Sequence, residues 1–341
     1  MPLAQLPLDR AVHVIADWFE FSVIVSEFGT APFSDLQRIW DRRRNSESSA
    51  PDGRKSNSDG DEAFLETVLE EIRTRIEYLR EAYPFKFSDT GESLELIPEL
   101  EIGQVVYLFC LLLANAKNDE VFCSDKFVYE LDNYIRDLFQ ACSTWAAAGF
   151  YNCSASSFGF PRPDGTNFLD KLRAVYALVG EGAVRVRPLP GVSSNPKDEG
   201  VDVIAWARRN DGAPGKVYFL GQVATGSNWH DKSIVEYLKP FHENWFSVLP
   251  ASQAKYGMFI PHCVPTVGDA TLQQQIHVLT VKFGDFQYRY TIPFYASKGC
   301  EIAAADAALT VERQGDIAKI RDWVNAVINK LQTCHLAVMF Q

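Results

Sequence analysis

Asp198-Glu199-Gly200-Val201-Asp202-Val203-Ile204-Ala205, followed by Gly221-Gln222-Val223-Ala224, is the stretch on which the fold of this chain turns. An acidic residue, Asp202, sits inside the apolar run Val201 to Trp206, which has the composition of a strand. A second run, Lys216 to Val223, carries Gln222 near its end. Between them, Arg209-Asn210-Asp211-Gly212-Ala213-Pro214-Gly215 is rich in turn formers, so the two runs are expected to pair as an antiparallel hairpin. Side chains alternate along a strand, so residues 222 and 224 share a face. Polar side chains at one edge of such a hairpin suit a divalent metal held against a phosphodiester.

Upstream of the hairpin, Phe168, Leu172, Val175, Tyr176 and Val179 recur at helical spacing, with Thr166 or Asn167 as the cap and Gly180-Glu181-Gly182 as the stop. Downstream, residues 231–239 read as a helix halted by Pro240. Phe286, Tyr288, Tyr290, Ile292 and Phe294 alternate like a half-buried strand, and Gly284-Asp285 would join it to Ile276–Phe283 as a hairpin. Ile317, Ile320, Val324, Val327, Ile328 and Leu331 form the apolar stripe of a last helix.

The first half has a different character. Residues 64–79, 103–116 and 125–148 carry helical periodicity, and nothing there resembles a chemical site. Residues 42–62 contain no large apolar side chain, so a disordered loop is expected. The chain therefore divides on paper into a helical domain, 1–150, and an α/β domain with a mixed sheet, 151–341. The fold class is α+β.

The net charge is −11. It is unevenly spread: residues 1–150 hold 14 Lys and Arg against 27 Asp and Glu, and the remainder hold 19 against 17. An acidic whole is unlike a free DNA-binding domain, yet a local basic face in the second half can still meet phosphates. Seven scattered cysteines without a CxxC pair argue against a disulfide framework or zinc ribbon and suit a reducing cytoplasm. No signal peptide is expected from the pattern of residues 1–14, and Val105 to Ala114 is too short for a membrane span. Gly212-Ala213-Pro214-Gly215-Lys216 lacks phosphate-loop spacing, and His262, Cys263 and His277 lack zinc spacing.

From residue 168 to 224 the order is helix, Gly-x-Asp strand (Gly200-Val201-Asp202), turn, and strand ending Gln-x-Ala (Gln222-Val223-Ala224). This order resembles the core of the PD-(D/E)xK nuclease superfamily, most of all its Mrr-type restriction endonuclease branch, whose second strand ends in Gln-x-Lys. The resemblance covers about 60 of 341 residues and departs from the pattern at two positions. The lysine position is Ala224, and the helix position that often carries glutamate is Leu169, with Asp170 one step on.

The resemblance implies a cytoplasmic, prokaryotic, genome-defence nuclease that uses Mg²⁺ (or Mn²⁺). Asp202 and Gln222 would be its metal ligands and Lys232 its migrated catalytic lysine, with Lys216 a weaker candidate. Its partner would be nucleic acid, contacted by Arg162, Lys197, Arg208, Arg209 and Trp229, with Arg185 and Arg187 nearby. The helical half would regulate the enzyme or recruit a partner protein. The alternative is a catalytically inactive nuclease fold that serves as a nucleic-acid-binding or partner-binding scaffold.

Overall fold

The computed structural model describes residues 2–8, 10–47, 58–116, 118–123, 127–162, 164–193 and 196–339. It is an α+β structure that divides into two compact units, residues 1–130 with 320–341, and residues 131–319. The boundary expected at 150 lies twenty residues earlier, because the helix over 133–151 packs on the sheet of the second unit.

The first unit contains α1 (Val12–Val25), β1 (Thr30–Pro32), α2 (Phe33–Glu47), α3 (Ser58–Leu79), β2 (Phe85–Phe87), β3 (Ser93–Leu96) and α4 (Ile102–Asn115). Residues 42–47 continue α2 and 58–62 open α3, so the expected loop over 42–62 is helical at both ends, while residues 48–57 lie outside the described residues. The unit also holds a small antiparallel sheet, order β1-β3-β2, that helical periodicity did not announce. Helix α4 is buried almost all round, and its capping box, Glu101 with Gln104, satisfies donors at its N-terminus.

The core of this unit encloses a charged cluster. Arg75 is fully buried and pairs with Glu20 at 2.7 Å, Asp17 at 2.9 Å and Glu71 at 3.0 Å. The hydroxyls of Tyr83 and Tyr107 donate to Glu20, and Asn115 donates to Asp17. Buried charges persist only when paired and hydrogen-bonded in this manner.

The second unit opens with α5 (Asn133–Tyr151), β4 (Ser154–Ser157), α6 (Phe168–Val179), β5 (Ala183–Val184), β6 (Val203–Ala207) and β7 (Val217–Val223). It continues with α7 (Val235–Trp245), β8 (Phe246–Val248), β9 (Lys255–Phe259), α8 (Leu272–Phe283), β10 (Asp285–Gln287) and α9 (Ile292–Ala305). A final helix, α10 (Asp316–Met339), runs on into the residues assigned to the first unit.

The central sheet is mixed, in the order β10-β9-β7-β6-β4. β4, β6 and β7 are antiparallel neighbours, and β9 and β10 run parallel to β7. The expected hairpin is present, with Val203 opposite Gly221 and Ala207 opposite Val217. Ile204, Trp206, Tyr218 and Leu220 turn to one face and pack with Phe168, Leu172 and Tyr176 of α6 and with Phe241 and Trp245 of α7. On the other face lies α5, and α9 packs on α5, closely because Gly149 and Gly299 meet at their contact. A Cβ on Gly299 would lie 2.0 Å from the Trp145 carbonyl oxygen.

Three expected elements differ. Residues 276–283 belong to a helix, because Thr271 and Gln274 form a capping box and Leu279 and Phe283 bury one face. The alternation over 286–294 is split between three residues of β10, a turn, and α9, where Pro293 occupies the first turn. Helix α7 begins at Val235, not 231, and continues past Pro240 to Trp245, with Phe241 and Trp245 buried beyond the proline.

Candidate functional site

The cavity that contains the motif residues opens at the end of the β6–β7 hairpin and has a volume of about 590 Å³. Extending the hairpin register by one pair places Asp202 opposite Gln222, so both side chains lie on the face that packs on α6 and α7. Both line the cavity.

Asp202 is held from every side. Its N–H donates to the Gly221 carbonyl at 2.8 Å, and its own carbonyl accepts from Phe158 and Gly159 at 2.7 and 3.1 Å. The Val223 N–H donates to its Oδ2 at 2.7 Å. Gly159 is needed beside it, since a Cβ there would meet Asp202 Oδ1 and Gln140 Oε1 at 2.3 and 2.2 Å. Burial pushes the Asp202 carboxyl up to about 7, and nearby Asp198 acts in the same direction. The Val223 N–H and the Lys232 ammonium oppose both effects without cancelling them.

Gln222 is 8% exposed, and its Oε1 is buried without a hydrogen-bond partner. Such an orphaned acceptor carries a desolvation cost, and in native structures it commonly marks a site completed by a ligand or water.

The turn before β6 is shaped by backbone sterics. Gly200 has φ +77°, its N–H donates to Asp198 Oδ1 at 3.0 Å, and a Cβ would stand 2.6 Å from the Tyr237 ring. Gly200→Ala is therefore expected to cost about 1–3 kcal/mol of stability. A lowered urea midpoint with an unchanged m-value would bear this out, and an unchanged midpoint would refute it.

Lys232 lines the cavity, half-buried, just before α7, and its charge acts on the Asp202 carboxyl. Ala224 is 1% exposed, and its N–H donates to the Phe259 carbonyl at 2.9 Å. It does not line the cavity; among the described residues the lysines that do are Lys232 and Lys197. Sequence reasoning missed the acidic character of the lining, which adds Asp198, Glu199, Asp231 and Glu236 to Asp202. Asp198 and Glu199 stood inside the motif stretch, but their inward placement depends on the left-handed turn at Glu199 and Gly200.

Four expected nucleic-acid contacts do not reach this cavity. Trp229 is 3% exposed and packs on Phe283 and Phe286, so its ring serves the core and offers no base-stacking surface. Arg208 and Arg209 lie past the far end of β6, about 20 Å from Asp202 at roughly 3.3 Å per residue. Arg209 pairs with Asp211 in the turn. Lys216 lies at that same far end, which removes it as a lysine candidate. Arg162 is buried beneath Lys197, whose carbonyl accepts from it. Arg185 and Arg187 do not line the cavity. Leu169 packs beside the core, and Asp170 turns to the Asn167 cap and to Arg173, so α6 supplies no carboxylate to the site.

Among the described residues, no group of three or more His, Cys, Asp or Glu is arranged to hold a metal ion. Asp202 and Gln222, which share the cavity lining, offer oxygen donors of the kind a hard cation that keeps several of its waters takes, as Mg²⁺ does. No described helix is long and apolar enough to cross a membrane. Compared with family models, curated proteins and solved structures, the chain matches none of them.

Proposed function

We infer that the second unit is a Mg²⁺- or Mn²⁺-dependent phosphodiesterase acting on nucleic acid. The observation that carries this reading is that Asp202, Lys232 and Gln222, whose Oε1 is buried without a partner, line one cavity. Asp202 and Gln222 would hold the cation, which when bound polarises the phosphoryl oxygen and lowers the pKa of its water. The Val223 N–H keeps the carboxylate aimed, and Lys232 places a positive charge where a phosphate would enter. The resemblance to restriction endonucleases adds the genome-defence setting, and the helical first unit is the natural place for a regulatory or partner-protein contact.

The test is cleavage of plasmid, single-stranded DNA and RNA with Mg²⁺ or Mn²⁺ by the wild type and by folded variants. Lys232→Ala should lower the rate by about 10²- to 10³-fold while metal binding persists. An unaffected rate would remove Lys232 from the mechanism. A second reading, the inactive scaffold, is favoured by the lining itself, where Asp198, Glu199, Asp202, Asp231 and Glu236 outnumber Lys197 and Lys232. Under that reading no substrate is cut, and Asp202→Ala changes only stability.

A further inference from the structure

A second cavity of about 200 Å³ lies in the same unit, lined by Ser157, Arg162, Asp164, Lys171, Glu312 and Arg313. Most of its charges are already matched. Lys171 Nζ is 2.9 Å from both carboxylate oxygens of Glu312 and 3.6 Å from Asp164. Arg313 pairs with Asp137 at 2.6 Å and Asp316 at 2.7 Å. The Glu312 carboxylate also accepts from the Ser157 N–H at 3.0 Å.

Two donors in this lining are not used. Arg162 is 9% exposed and its Nε is buried without a partner, while Asp198 and Asp164, the carboxylates that act on its charge, form no ion pair with it among the described residues. Its guanidinium lies 5.3 and 5.6 Å from the ring centroids of Phe158 and Phe168, which desolvate it. Ser157 is 4% exposed, and its Oγ accepts from Gln140 Nε2 at 2.6 Å and from Arg313 at 3.4 Å. With both of those nitrogens donating, the hydroxyl proton is left to donate elsewhere.

A buried guanidinium whose carboxylates stand beyond ion-pair distance gains from an anion that reaches it directly. Its planar fork matches the oxygens of a phosphate, and a serine hydroxyl is a usual companion. We propose that this cavity is a binding site for a phosphate group, either inorganic phosphate or the monoester of a nucleotide. The Arg162 guanidinium also donates to the Lys197 carbonyl, and Lys197 lines the larger cavity. Occupancy would therefore steady the segment 196–200 that leads into Asp202. The proposal does not depend on the hydrolytic reading, because it is tested without divalent metal.

The experiment is phosphate titration of the full chain in chelator, read by thermal shift and by ³¹P line broadening. Wild type should show a saturable rise in Tm with phosphate. Arg162→Met, which keeps the stem packed on the two phenylalanines, should weaken binding by about tenfold or more, and Ser157→Ala by a smaller factor. Asp164→Asn, at a partly exposed site, should tighten binding by removing a like charge, which keeps the proposal testable if Arg162→Met folds poorly. Thymidine 5′-monophosphate binding more tightly than phosphate would assign the site to a nucleotide monoester, and equal affinity would assign it to the free anion. The proposal fails if no saturable shift occurs, if Asp164→Asn leaves affinity unchanged, or if thymidine binds as tightly as its monophosphate.

Discussion

Asp202→Asn should abolish metal-dependent cleavage and make the chain more stable at pH 8 in chelator. The first effect follows from removing the sole carboxylate on the hairpin face of the site, and a loss of at least about 100-fold is expected. The second follows from burial. In the folded chain the Asp202 carboxyl is pushed up to about 7 from an ordinary 3.8. Between those values the folded state keeps a proton that the unfolded chain releases. Wild-type stability therefore falls as pH rises through this window and is level above it.

The asparagine carries no such dependence, and its Oδ1 can still accept from Val223. The difference in stability should be close to zero at pH 4 and reach about 1–4 kcal/mol at pH 8. Mg²⁺ should restore stability to the wild type at pH 8 and not to the variant. Urea denaturation at the two pH values, with and without Mg²⁺, reads all of this. Equal stability of wild type and variant at pH 8 would show that the carboxylate is not penalised by burial, and the functional strain inferred here would be absent.

Arg75→Met should destabilise the first unit by about 3–5 kcal/mol, a large part of the 5–15 kcal/mol that holds a typical domain folded. Arg75 is the cation in a buried cluster that contains Glu20, Asp17 and Glu71, and its guanidinium also donates to the His13 carbonyl at 2.9 Å. Methionine fills similar volume but leaves Glu20 and Asp17 without it. Arg75→Lys should be intermediate, since one ammonium cannot reproduce a fork that meets three carboxylates. Adding Asp17→Asn and Glu20→Gln to Arg75→Met should recover most of the loss, because the uncompensated charges are then gone. Hydrogen exchange of α1 and α4 amides is the direct readout. Protection unchanged by Arg75→Met would mean that the cluster contributes nothing to stability.

The helices were legible where one face is strongly apolar. The stripe from Phe168 to Val179 and its Asn167 cap appear as expected, with the Asn167 side chain accepting from Asp170 N–H. The hairpin of β6 and β7 was equally legible, since two apolar runs flank a turn rich in Gly, Pro, Asn and Asp. Residues 286–294 were not. A period of two in the sequence was produced by three elements in succession, and nothing local distinguishes that from one strand.

Asp202 and Gln222 were singled out in the sequence by the Gly-x-Asp and Gln-x-Ala pattern of two short segments, and both line the larger cavity. Asp198, Glu199, Asp231, Glu236, and the whole of the Arg162 cavity were not, because their side chains converge from segments up to about 150 residues apart.

What the amino-acid order determined by itself is the set of elements with strong periodicity and the antiparallel hairpin; its register, which sets Asp202 opposite Gln222, came from the structure. Tertiary structure alone decided which charges are buried and which face water. Trp229 carries the side chain of a nucleic-acid contact yet is enclosed in the core, whereas Lys232 faces the cavity and Lys216, by composition its equal, does not. The physical reason is that the chemistry of a charged or aromatic side chain depends on its desolvation and its neighbours, and both are properties of packing between distant segments.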